Sequence, residues 1–176
     1  TTSTASLPGI YGPFPGIQCS DYIEVDSCTI RGGTSLSNPG YGGFQFFRNT
    51  TLGHMAKITN CHFVHLNNAV TLASNLVWSG SSIYNNTTDF IFENNTIDSC
   101  YYGVIVCELD SNNWIRINRN VMNVYETGIH FYNTGANISG KFYLSNNKIN
   151  STSAIYINYM GTGFSNYIIE NNMFKS

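Results

Sequence analysis

The side chains best placed to do chemistry are Glu108, Asp110, Glu126 and His130: three carboxylic acids and an imidazole in one stretch of chain. Cleaving a glycosidic bond takes two carboxyl groups a few ångströms apart, one acting as acid and the other as base or nucleophile. Eliminative cleavage takes a base beside a calcium site or an arginine. Glu108 and Asp110 share a loop, and Glu126 and His130 follow close behind, so these four form the best catalytic cluster on offer. The plainer reading makes them solvated loop residues, because the ten acids are otherwise scattered. Cys19, Cys28, Cys61, Cys100 and Cys107, with His54, His62, His65 and His130, fall into no close-spaced ligand pattern. No metal and no cofactor is expected.

Whatever positions these residues is a repeat. Its core is an apolar-x-apolar strand, one or two polar residues, then Asn or Cys, one further residue and an apolar one. The six copies are Ile23-Glu24-Val25 with Cys28 and Ile30, Ala56-Lys57-Ile58 with Cys61 and Phe63, Phe90-Ile91-Phe92 with Asn95 and Ile97, Ile115-Arg116-Ile117 with Asn120 and Met122, Phe142-Tyr143-Leu144 with Asn147 and Ile149, and Tyr167-Ile168-Ile169 with Asn172 and Phe174. The Asn or Cys position recurs at spacings of 33, 34, 25, 27 and 25 residues. After each of the first five copies comes a small residue and another apolar-x-apolar run: Gly43-Phe44-Gln45-Phe46, Ala69-Val70-Thr71-Leu72, Gly103-Val104-Ile105-Val106, Gly128-Ile129-His130-Phe131 and Ala154-Ile155-Tyr156-Ile157. Period-2 alternation of β-branched and aromatic residues predicts strands, and apolar positions at like phase in each unit predict that the strands stack in parallel.

This double motif resembles the right-handed parallel β-helix of the pectate-lyase-like superfamily, which includes polysaccharide lyases, polygalacturonases and phage tailspikes. The likeness is to a fold class and covers about nine-tenths of the chain. It implies an all-β solenoid of about six coils over residues 21–176, with inward asparagines stacked at a tight turn. Asn95, Asn120, Asn147 and Asn172 would form that ladder, with Cys28 and Cys61 in the same file on the first two coils. Read as hairpin turns, the pairs Asn94-Asn95, Asn146-Asn147 and Asn171-Asn172 would suit an antiparallel sandwich instead. That reading leaves two strand motifs in fixed order unexplained. The Asn-Thr-Asp, Asp-Asp, Gly-His-Gly and Arg-Ile-Lys signatures of polygalacturonases are absent. The nearest fragment, Arg116-Ile117-Asn118, is better explained as a strand with an outward arginine.

Composition narrows the partners. Only 10% of the 176 residues are charged and the net charge is -2, so neither a nucleic-acid footprint nor a polybasic membrane patch exists. No apolar stretch has the length of a membrane span, and the first residues carry no signal pattern. Beginning at Thr1, the chain is expected to be a processed product or a piece of something longer. The triplets at Asn49, Asn85, Asn86, Asn94, Asn137 and Asn150 are N-glycosylation acceptors by pattern, but 24 Asn and 34 Ser plus Thr produce nearly as many by chance. Segments 31–43, 46–54 and 73–89 are long loops, the class of insertion that carries binding in solenoids. Residues 1–20, with Pro8, Pro13 and Pro15, suit an extended segment outside the coil, serving as a cap or an arm to a neighbouring subunit.

Stacking puts Cys28 beside Cys61, either as a disulfide or as paired free thiols, and Cys100 with Cys107 brackets a turn that a bridge could close, leaving Cys19 odd. Outward positions at Ile91, Ile105 and Ile168, beside Tyr143 and Tyr156, predict apolar strips that loops cover or other subunits use. The sixth copy lacks a second motif, so its end is uncapped, and a raw solenoid end stacks further. The expected protein is a self-assembling structural segment of an extracellular, cell-surface or virion fibre, with itself as partner. The competing expectation is a carbohydrate-binding or carbohydrate-cleaving β-helix of tailspike type, with glycans as ligands. A truncated cell-surface adhesin is a third.

Overall fold

Alternation turns directly into a two-sided strand in the fourth repeat, where Ile115 and Ile117 are buried and Trp114 and Arg116 are exposed. The computed structural model describes residues 14–19, 23–32, 41–46, 55–72, 89–107, 114–134, 141–160 and 167–176. Every described element is a strand. In chain order they are β1 (Phe14–Cys19), β2 (Ile23–Asp26), β3 (Thr29–Arg31), β4 (Tyr41–Phe46), β5 (Met55–Thr59), β6 (His62–Val64), β7 (Asn68–Leu72), β8 (Asp89–Glu93), β9 (Thr96–Cys107), β10 (Trp114–Asn118), β11 (Val121–Thr134), β12 (Lys141–Ser145), β13 (Lys148–Asn150), β14 (Ser153–Met160), β15 (Tyr167–Glu170) and β16 (Met173–Lys175).

All pairings between them are parallel. One sheet of six strands runs β2-β5-β8-β10-β12-β15 and holds the first motif of each repeat. Its register aligns Ile23, Ala56, Phe90, Ile115, Phe142 and Tyr167, as the repeat predicts. The second sheet, of ten strands, carries the second motif, with Phe44, Val70, Val104, Ile129 and Ile155 in one file. Here β9 and β11 run through both the post-turn segment and the second motif, and a register shift between Asn123 and Thr127 marks the bend. The described residues therefore form an all-β, fully parallel solenoid, and the antiparallel sandwich is excluded for them.

The inward side chains form one continuous core, in which Phe63 and Phe92 or Phe131 and Phe142 pack across coils with ring centres 5.7 and 5.0 Å apart. Small residues precede the second motif because coils approach closely there. A Cβ on Gly103 would lie 2.2 Å from the Gly128 carbonyl oxygen.

At each turn out of the six-stranded sheet one residue adopts positive φ: Ser27, Asn60, Asn94, Arg119, Asn146 and Asn171, all between 53° and 57°. This left-handed step, cheapest for Asn among non-glycine residues, points the next side chain inward, and those side chains build the ladder. The Asn95 N–H and Nδ2–H both donate to Asn120 Oδ1 (2.9 and 3.1 Å). Asn120 donates likewise to Asn147 Oδ1 (3.1 and 2.9 Å), and Asn147 to Asn172 Oδ1 (both 2.9 Å). Each Nδ2 also donates to a strand carbonyl: those of Ile58, Phe92, Ile117 and Leu144 in turn. Cys61 joins the file through its backbone N–H, which donates to Asn95 Oδ1 at 2.9 Å.

The amino-terminal region differs from expectation. Residues 14–19 are not outside the coil: β1 pairs with β4, matching Phe14 to Tyr41 and Ile17 to Phe44. Pro15 argues against a central strand, but β1 is the outermost strand of its sheet, where a missing N–H interrupts no ladder on its free side. Residues 1–13 lie outside the described residues.

Candidate functional site

Because side chains alternate, the outer face of the six-stranded sheet presents three rows running across the coils. The row nearest the start of the strands is Met55, Asp89, Trp114 and Lys141, the first residues of β5, β8, β10 and β12. Two residues on come Glu24, Lys57, Ile91, Arg116, Tyr143 and Ile168. The third row is Asp26, Thr59, Glu93, Asn118, Ser145 and Glu170.

The first two rows enclose a shallow depression of about 90 Å³ lined by Met55, Asp89, Phe90, Ile91, Trp114, Arg116 and Tyr143. Asp89 Oδ1 accepts the Trp114 backbone N–H at 2.8 Å and so fixes where the indole begins. The Trp114 and Tyr143 rings meet at 42° with centres 6.2 Å apart, and the Lys141 ammonium sits 4.7 Å over the indole. Trp114 remains 48% exposed. Arg116 Nη1 stands 3.7 Å from Glu93 Oε1, a surface pair that costs little to rearrange. The depression thus offers two aromatic faces, a carboxylate and a guanidinium.

The third row is a chain of polar contacts. Asp26 accepts from Thr59 Oγ1 and Asn60 Nδ2, both at 2.7 Å, and from Ser27 Oγ at 2.9 Å. Those donors, Thr59 foremost, hold its carboxyl below the ordinary value of 3.8. Further along, Ser145 Oγ and Asn146 Nδ2 both donate to Asn118 Oδ1 at 3.0 Å. Asp26 and Glu93 lie two coils apart with Thr59 between them, and Asp26 accepts three hydrogen bonds, so the two carboxyls do not meet as a pair.

Of the four residues singled out for catalysis, Glu108 and Asp110 lie outside the described residues. Glu126 and His130 are on β11. His130 is sandwiched in an aromatic file, its ring 6.3 Å from Tyr102 and 4.9 Å from Tyr156. Burial lowers its pKa and favours the neutral imidazole. Tyr102 is raised, first by burial and then by the neighbouring Tyr101 and Glu126. Ile168 and Tyr156 are exposed, and Ile91, Ile105 and Tyr143 are partly exposed.

Cys28, Cys61 and Cys100 carry free thiols. Each donates to the carbonyl two residues back, at Asp26 (3.2 Å), Thr59 (3.1 Å) and Asp98 (3.5 Å). Burial raises Cys61 and pushes Cys100 up to about 12. The side chains of Cys19 and Cys107 lie outside the described residues. Among the sequons, Asn94 and Asn150 are exposed, and Asn49, Asn85, Asn86 and Asn137 lie outside the described residues. Among those residues no three His, Cys, Asp or Glu side chains gather as metal ligands would, and no helix is long and apolar enough to cross a membrane.

Sequence reasoning missed Asp89, Trp114 and Lys141. The signal was period 2 itself: each lies two residues before an outward residue of the first motif. Comparison with protein-family models, curated proteins and solved structures found no match.

Proposed function

We propose that the chain is a structural segment of a β-helical rod, assembled by stacking coil on coil, with a second copy of the chain covering the face made by β15 and β16. The observation that carries this reading is the exposure of core positions on that face. Ile169 and Phe174 are 49% and 48% exposed, although Leu144 and Ile149, their register partners one coil back, are each at 1%. Among the described residues both strands are outermost in their pairing order, which leaves their edges for another parallel strand. The ladder is open there too. Asn172 Oδ1 is used by Asn147, while its own N–H occupies the position from which every earlier rung donates to the next amide oxygen.

Covering the exposed halves of Ile169 and Phe174 stabilises by about 2–3 kcal/mol. Those side chains alone do not offset the several kcal/mol lost on association, so the strand edges and a further ladder rung must contribute. The contact is head-to-tail and does not close on itself, which gives filaments. In this reading the solenoid is right-handed, the hand of parallel crossovers, with six turns, one for each strand of the six-stranded sheet. The rod belongs to an extracellular, cell-surface or virion setting, and in this reading the segment before Phe14 caps an end or reaches a neighbour.

Sedimentation and electron microscopy of the 176-residue chain test the reading. Filaments or concentration-dependent oligomers are expected, with an axial repeat of roughly 30 Å for six coils. Ile169→Asp and Phe174→Asp, which place charge on the open face, should leave a folded monomer. A wild-type chain that stays monomeric at every concentration, or assembly indifferent to both substitutions, overturns it.

A further inference from the structure

We propose that the depression between Trp114, Tyr143, Asp89 and Arg116 binds one neutral pyranose ring of a saccharide, on a side of the solenoid separate from its stacking end. Two aromatic rings meeting at 42° form an open corner, with the indole held at its backbone by Asp89 and on its ring by Lys141. Pinned aromatic planes of this kind suit the C–H faces of a sugar ring, a ligand that is apolar on its faces and polar around its rim. For the rim, the Arg116 guanidinium offers several donors, and Asp89 Oδ2 remains after Oδ1 takes the Trp114 N–H. Adjacent hydroxyls of a pyranose match a carboxylate and a guanidinium placed side by side.

Charge selects among sugars. Arg116 faces Glu93, and Lys141 lies in the same row as Asp89, so two cations and two carboxylates balance across the patch. A uronate or sulfated sugar gains no net attraction, and a neutral ring gives up none. Location adds a second argument. Met55, Asp89, Trp114 and Lys141 are all first residues of their strands, so the depression lies at the strand-entry edge of the sheet, and such edges are where solenoids commonly carry binding.

The test is saturation-transfer NMR and calorimetric titration of the 176-residue chain with cellobiose, maltose, mannobiose and lactose, with digalacturonate as the charged control. At least one neutral disaccharide should bind. Trp114→Ala should weaken it about tenfold or more. Asp89→Asn keeps an oxygen to accept the Trp114 N–H and should weaken binding with thermal unfolding unchanged. Binding of none of the four, binding that survives Trp114→Ala, or a preference for digalacturonate would each overturn the proposal. None of these results bears on filament formation, which depends on the β15–β16 face and not on this side of the sheet.

Discussion

Replacing Asn120 by alanine is the sharpest probe of what holds the solenoid together. The side chain is 1% exposed, and its amide makes four contacts: Nδ2 donates to Phe92 O (2.8 Å) and Asn147 Oδ1 (2.9 Å), and Oδ1 accepts from Asn95 N–H (2.9 Å) and Nδ2 (3.1 Å). After truncation Asn147 Oδ1 still has the Asn120 backbone N–H, and Asn95 Nδ2 still has Ile58 O. The Asn95 N–H and one Asn95 amide hydrogen are left without their partner, and the Phe92 carbonyl, which faces β10 in the sheet ladder, loses its second donor. At about 1–3 kcal/mol for each of these two orphaned buried groups, the cost is about 2–6 kcal/mol, a large part of the roughly 5–15 kcal/mol that holds a domain folded. Asn172→Ala removes the same chemistry from a half-buried rung at the open face, where water can replace it, and should cost about 1–2 kcal/mol. Urea unfolding followed by far-UV circular dichroism reads both as shifts in midpoint at constant slope. If Asn120→Ala costs no more than Asn172→Ala, the buried ladder is not the stabilising device that its geometry implies.

Three further outcomes follow from the same structure. Arg119 holds φ at 54° where most other coils use Asn, so Arg119→Asn should raise stability by roughly 0.5–1 kcal/mol in the same urea assay, and a loss would mean that the arginine side chain contributes contacts that outweigh the strain. Asp26 has a depressed folded pKa, so the stability it provides is complete above its ordinary value of 3.8 and is lost as pH falls through the lower folded value. Thermal unfolding across the acid range should show a smaller acid loss for Asp26→Asn than for wild type, and parallel curves would refute the assignment. With its thiol pushed up to about 12 and its side chain buried, Cys100 should alkylate in native protein far more slowly than Cys28; peptide mapping after iodoacetamide treatment at mild alkaline pH measures the order, and equal rates would show that the coil opens there.

The positions that were legible in the sequence and those that were not differ in physical kind. A core residue such as Ile117 must match Phe92 and Leu144 above and below it, and a rung such as Asn120 must match Asn95 and Asn147, so each recurs in type from coil to coil and a search for recurrence finds it. The strand β1 was hidden because Pro15 signals a break, and only its place at the end of the sheet makes it tolerable. Asp89, Trp114 and Lys141 were hidden for the opposite reason. They face outward, nothing in the core constrains them, and their row holds four unlike residues, so no recurrence marks them. Glu126 and His130 were conspicuous by chemistry, yet the environment of His130 is an aromatic stack with its imidazole biased to neutral. In a solenoid the repeat specifies the scaffold, and recognition is left to the positions where the repeat imposes nothing; the irregular outer row, more than the regular core, is where a ligand has to be sought.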